Sequence, residues 1–106
     1  MIAREWRCLC PTVHRVGFLA HLDATGVRET SSLPGYRGHQ ILERDMEGGV
    51  EITLVTYWDS LESIAAFAGE DIGRARLYPG DEAFGITPDK DVRHYRLLSA
   101  GFPATP

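Results

Sequence analysis

The sequence predicts an α+β domain whose elements run β-α-β-β-α-β. Three observations carry that prediction. Residues 2–9 alternate, with Ile2, Arg4, Trp6 and Cys8 on one side and Ala3, Glu5, Arg7 and Leu9 on the other, the period of a strand. A second alternating run, Ile52, Leu54, Thr56 and Trp58, feeds directly into Asp59-Ser60-Leu61-Glu62-Ser63-Ile64-Ala65-Ala66-Phe67, which carries a helix start signal. The glycine pair Gly48-Gly49 sits between two strand-like runs, where a tight hairpin needs positive φ angles.

Each element follows in order. After the first strand, Pro11-Thr12 opens a helix, proline suiting the first turn and threonine offering a cap oxygen. Val13, Val16, Phe18, Leu19 and Leu22 give that helix its apolar stripe, and Gly26 ends it or kinks its last turn. Residues 31–35 form a loop punctuated by Pro34-Gly35. Residues 36–45 and 50–58 are the hairpin strands. The second helix starts at Asp59, with Glu62 as capping-box partner, and stops at Gly69. A short helical piece over 71–77 is expected to end at Pro79, followed by a turn over 80–84 and a last strand over 91–99. In that strand Val92, His94, Arg96 and Leu98 share one face. This order is the ferredoxin-like plan, a four-stranded antiparallel sheet with both helices on one face. The chain reads as one domain over residues 1–100, and residues 101–106 as a flexible tail.

At 106 residues there is room for one core. A formal net charge of −4 argues against a general nucleic-acid or membrane-surface role, and no apolar run approaches a membrane span. A cytoplasmic protein is expected. Cys8 and Cys10 have no second pair to complete a tetrahedral site and read as two small buried side chains. His14, His21 and His39 are too scattered to share an ion. Arg74 lies four residues after Glu70, the spacing of a surface ion pair, and Asp81 and Glu82 point apart on a turn. The reading therefore contains no metal, cofactor or nucleophile–base motif.

Four residues carry the candidate chemistry. His94 is an imidazole that can accept a proton near neutral pH. Arg4 holds an anion, and Trp6 and Trp58 stack on a flat ligand. A sheet face left bare of helices invites a two-fold homodimer packed sheet to sheet.

Long stretches resemble the antibiotic biosynthesis monooxygenase family, in the dimeric α+β barrel superfamily, and in particular a branch of its small members. The resembling pieces include Leu33-Pro34-Gly35-Tyr36-Arg37-Gly38, Tyr57-Trp58-Asp59-Ser60-Leu61-Glu62-Ser63-Ile64, Tyr78-Pro79-x-Asp81-Glu82-x-Phe84 and Val92-Arg93-His94-Tyr95. The resemblance implies a homodimer that oxidises an aromatic or polyketide-like phenol with molecular oxygen and no cofactor. An electron-rich phenolate can itself reduce oxygen, so the protein has only to bind it, stabilise its anion and exclude bulk water. Wider relatives degrade haem or isomerise lactones. An ungapped reading from Trp58 puts the haem-ligating histidine of that branch on Leu77 and its helix-two tryptophan on Phe67, which speaks against haem chemistry. The alternatives are a non-catalytic small-molecule-binding or stress-related dimer and a lactone or enol isomerase.

Overall fold

The computed structural model describes residues 1–103; residues 104–106 of the expected tail lie outside them. The elements are β1 (Ile2–Pro11), α1 (Arg15–Leu22), α2 (Arg28–Ser31), β2 (Tyr36–Met46), β3 (Gly49–Trp58), α3 (Leu61–Ala68), β4 (Thr87–Pro88) and β5 (Arg93–Arg96). All strand pairs are antiparallel, in the order β2-β3-β1, with β4 and β5 both on the far side of β1. The ferredoxin-like α+β plan is therefore present, with its last strand split in two. No helix among the described residues is long and apolar enough to cross a membrane.

Alternation gives the sheet its two faces. The register sets Arg4 opposite Thr56, Trp6 opposite Leu54, Cys8 opposite Ile52 and Cys10 opposite Val50. These side chains face the helices, where Cys8, Cys10, Ile52, Leu54, Phe18, Leu22 and Val27 make the core. At about 25 cal/mol per Å² of apolar surface, this burial is the main stabilising term. Both tryptophans and Ile52 belong to the covered face. The other face is mixed: exposed Leu9, Leu42 and Tyr95 surround an ionic cluster in which Arg93 binds Glu5 and Asp89.

The differences from expectation have local causes. The hairpin closes with two residues between paired Met46 and Gly49, and Gly48 alone has positive φ, 81°. Gly49 is needed for a different reason: a Cβ there would stand 2.3 Å from the Cys10 carbonyl oxygen. The first helical stretch begins with a 3₁₀ turn, Thr12–His14, without a side-chain cap. Gly26 does not end it but sits in a π turn, Asp23–Val27, that carries the helix on into α2. The cap of α3 is Ser60, whose Oγ accepts the Ser63 N–H, while Asp59 pairs with Arg37.

Residues 71–77 are not helical. Apart from one turn bond, from the Arg74 N–H to the Asp71 carbonyl, the piece pairs with residues 90–92: the Ala75 N–H donates to the Lys90 carbonyl and the Val92 N–H to the Gly73 carbonyl. That pairing also draws residues 90–92 off β1, which is why the last strand is interrupted. Arg74 pairs with Asp71, at 3.6 Å, and not with Glu70.

Candidate functional site

Between the covered sheet face, the π turn and the irregular segment after α3 lies a cavity of about 50 Å³. Arg4, Trp6, Phe67, Arg76, Tyr78 and Asp81 supply most of its aromatic and charged lining. Gly26 forms part of the roof. A Cβ there would lie 3.2 Å from both Leu22 and Leu54, so the missing side chain lets the helix come close to the sheet. Single π turns inside helices frequently occur at functional sites.

Arg4 is 5% exposed and is the centre of the arrangement. Its Nη1 donates to the Ile72 carbonyl at 2.6 Å and to His94 Nε2 at 3.0 Å, and its Nη2 donates to the Arg74 carbonyl at 2.9 Å. The guanidinium thereby ties the segment after α3 to β1. An arginine has no acceptor, so His94 Nε2 must be the acceptor, and the imidazole is neutral with its proton on Nδ1. Burial, and then the Arg4 charge, lower the His94 pKa below the ordinary 6.5. Burial also lowers the Arg4 pKa to about 10, against the opposing influence of Tyr78, so Arg4 remains a cation at neutral pH. Among the described residues no carboxylate lies within ion-pair distance of it.

Two further polar atoms at the cavity lack partners. Trp6 Nε1 and the Tyr78 hydroxyl are both buried and unbonded. Leaving such a group unpaired costs about 1–3 kcal/mol, which a bound acceptor oxygen would recover. Burial raises the Tyr78 pKa, keeping its hydroxyl a donor. The walls are aromatic: Phe67 and Tyr78 flank the Arg76 guanidinium, 5.0 and 5.5 Å from the two ring centres. An arginine without an ion-pair partner, two unpartnered donors, the Asp81 carboxylate and flat walls can together contact a planar molecule that carries an accepting oxygen.

Of the four residues singled out from sequence, Arg4 and Trp6 line the cavity. His94 touches Arg4 from behind and is not in the lining. Trp58 is fully buried, stacked on Phe67 at 5.7 Å, with its Nε1–H donated to Thr56 Oγ1 at 2.8 Å. It supports a wall and does not form one. Tyr78, Phe67, Arg76 and Asp81 also line the cavity, and the sequence does not single them out: Asp81 reads as a turn residue, and nothing local in Tyr78-Pro79-x-Asp81 marks a hydroxyl that will be buried without a partner.

Asp81 is also buried, at 8% exposure, and both its oxygens are hydrogen-bonded. Oδ1 lies 2.6 Å from His21 Nε2 on α1, and Oδ2 accepts the Tyr78 N–H at 2.8 Å.

No protein-family model matches the chain, and neither does any curated protein. Solved structures do match. A Deinococcus radiodurans protein named as a candidate antibiotic biosynthesis monooxygenase superposes with a TM-score of 0.61 over 99% of this chain and 100% of its own, at 15% identity. The Rv0793 protein of Mycobacterium tuberculosis gives 0.59 over 96% and 100%, at 21% identity. A Bacillus cereus protein with the same kind of name gives 0.59 over 99% and 98%, at 15% identity. Over its described residues the chain has the antibiotic biosynthesis monooxygenase-like fold.

Proposed function

We propose that this protein binds a planar phenol or enol as its anion and oxidises it with molecular oxygen without a cofactor. The carrying observation is Arg4, a buried cation with no carboxylate within ion-pair distance among the described residues, lining a cavity where Trp6 Nε1 and the Tyr78 hydroxyl stand unpartnered. Arg4, Trp6 Nε1 and the Tyr78 hydroxyl hold the oxyanion, the aromatic walls hold the ring, and His94 positions Arg4. An electron-rich anion held this way passes electrons to oxygen. For an anthrone, the ring CH₂ becomes C=O, one atom of O₂ entering the product and the other leaving in water. The fold neighbours' names support oxygen as the co-substrate. Working as a cytoplasmic homodimer, the protein would pack its mixed sheet faces together around Leu9, Leu42 and Tyr95.

The cavity volume, about 50 Å³, admits the oxygen-bearing edge of one ring and is well below the roughly 300 Å³ typical of enclosed ligand sites. A larger substrate then sits partly in the mouth or requires the segment after α3 to open. The same narrowness favours a second reading, a binding protein for small phenolic acids with no turnover.

Oxygen uptake with a panel of anthrones and hydroquinones separates them. The oxygenase reading expects uptake by wild type and a loss of about 100-fold or more in kcat/KM for Arg4→Gln, as for removal of an oxyanion donor. Binding without uptake selects the second reading, and turnover without oxygen selects an isomerase.

A further inference from the structure

We propose that Asp81 is the group that takes the substrate's proton, with His21 as its positioning residue; this rests on the phenol or enol reading above. If the ligand enters as a neutral acid and is held as an anion, its proton must go somewhere. Among the described residues lining the cavity, Asp81 is the sole carboxylate, and no histidine is present. His94 is unsuitable because its Nε2 lone pair already accepts from Arg4. Asp81 is held on two sides, by His21 Nε2 at 2.6 Å and by the Tyr78 N–H at 2.8 Å, which leaves each carboxylate oxygen a second lone pair. His21 is itself fixed, its ring packed 5.1 Å from Phe84 and 6.2 Å from Phe18.

The step balances within the site. The substrate O–H bond breaks, an O–H bond forms on Asp81, and the negative charge moves from the carboxylate to the ligand oxygen beside Arg4. The cavity's net charge does not change, so a neutral acid is taken up and split without losing a proton to solvent. The charged and titratable groups around Asp81 are His21 on α1, Cys8 on β1, Tyr78 and Arg76 on its own segment, and Arg4 across the cavity.

The probe is 4-nitrophenol, a single ring whose anion has its own visible absorption band. Binding is followed below the pH at which the free phenol ionises. Wild type is expected to give a bound phenolate band with an affinity that is flat with pH, because no proton reaches the buffer. In Asp81→Asn a bound phenolate must release its proton to the buffer, so affinity falls about tenfold for each unit by which the pH is lowered, or the band is lost. His21→Gln keeps an N–H for Oδ1 and should retain the flat slope, whereas His21→Leu should not. A tenfold slope in wild type, binding without the phenolate band, or a flat slope with the band in Asp81→Asn overturns the proposal. The wild-type slope and band decide the matter even if the variants fold poorly. Failure of wild type to bind the probe at any pH would instead overturn the reading of the cavity on which this rests.

Discussion

The ladder formed by β2, β3 and β1 and the return segment from Gly69 to Val92 are built by opposite means. In the ladder, ten consecutive residues of β1 each face a partner on β3, and the backbone satisfies itself. In the return segment the backbone bonds are few and irregular, such as Ala75 to Lys90 and Val92 to Gly73, and side chains add to them by holding carbonyls: Arg4 those of Ile72 and Arg74, and Arg76 that of Phe67 at the end of α3. The tryptophans divide the same way. Trp58 is sealed in the ladder's covered face with its N–H bonded, while Trp6, which lines the cavity, keeps a buried N–H unbonded. A ladder tolerates little but asks nothing of a ligand. A segment pinned by a few charged side chains leaves polar groups idle, and that is where binding chemistry can reside.

The largest test of this contrast is to exchange the fates of the two indoles. Trp58→Ala should cost about 3–5 kcal/mol in denaturant unfolding, as expected for emptying a fully buried aromatic site. Trp6→Phe should leave stability within about 1 kcal/mol of wild type and weaken ligand binding. Comparable losses of stability in the two would erase the distinction. Next, Gly49→Ala forces a Cβ against the Cys10 carbonyl at 2.3 Å and should cost about 1–3 kcal/mol in the same assay, with an intact ligand site.

Arg4→Met should act locally. Freeing the Ile72 and Arg74 carbonyls is expected to cost about 1–3 kcal/mol, and hydrogen exchange should accelerate around residues 72–75 while the β1–β3 ladder stays protected. Uniform loss of protection would mean that the segment is integral to the ladder.

The smallest expected effect concerns pH. His94 has a folded pKa below its ordinary 6.5, so above that value it is neutral in both states and contributes no pH dependence. As pH falls below 6.5 the unfolded chain gains the proton first, and stability declines until the folded pKa is passed. His94→Gln should flatten that part of a stability–pH curve, and an unchanged curve would remove His94 from the Arg4 cluster.

What could be read from the sequence follows this division. The three long strands, the hairpin turn between β2 and β3, and α3 obey local rules, alternation and capping, and their positions follow from neighbouring residues. Arg4 and His94 lie on strands with the same alternation, and the register pairs them directly. The return segment obeys no local rule. Residues 71–77 look helical, but Ala75 is bonded to Lys90, fifteen positions on, and nothing within a helical window reports such a partner. His21 and Asp81 meet across sixty residues, between an α-helix and a 3₁₀ turn. The alternation of β3 puts Trp58, Thr56 and Leu54 on one face without saying which stretch of that face the helices leave hollow. Only the packing of Gly26 and Phe67 decides it.

The most direct measurement is equilibrium binding of 4-nitrophenolate, above the pH at which it ionises, to wild type and to Arg4→Met. If the buried guanidinium is the anion holder, the variant should bind about 10- to 100-fold more weakly while its far-ultraviolet circular dichroism is unchanged, the range expected for losing a charge-assisted hydrogen bond. Equal affinity in the two proteins would contradict the account.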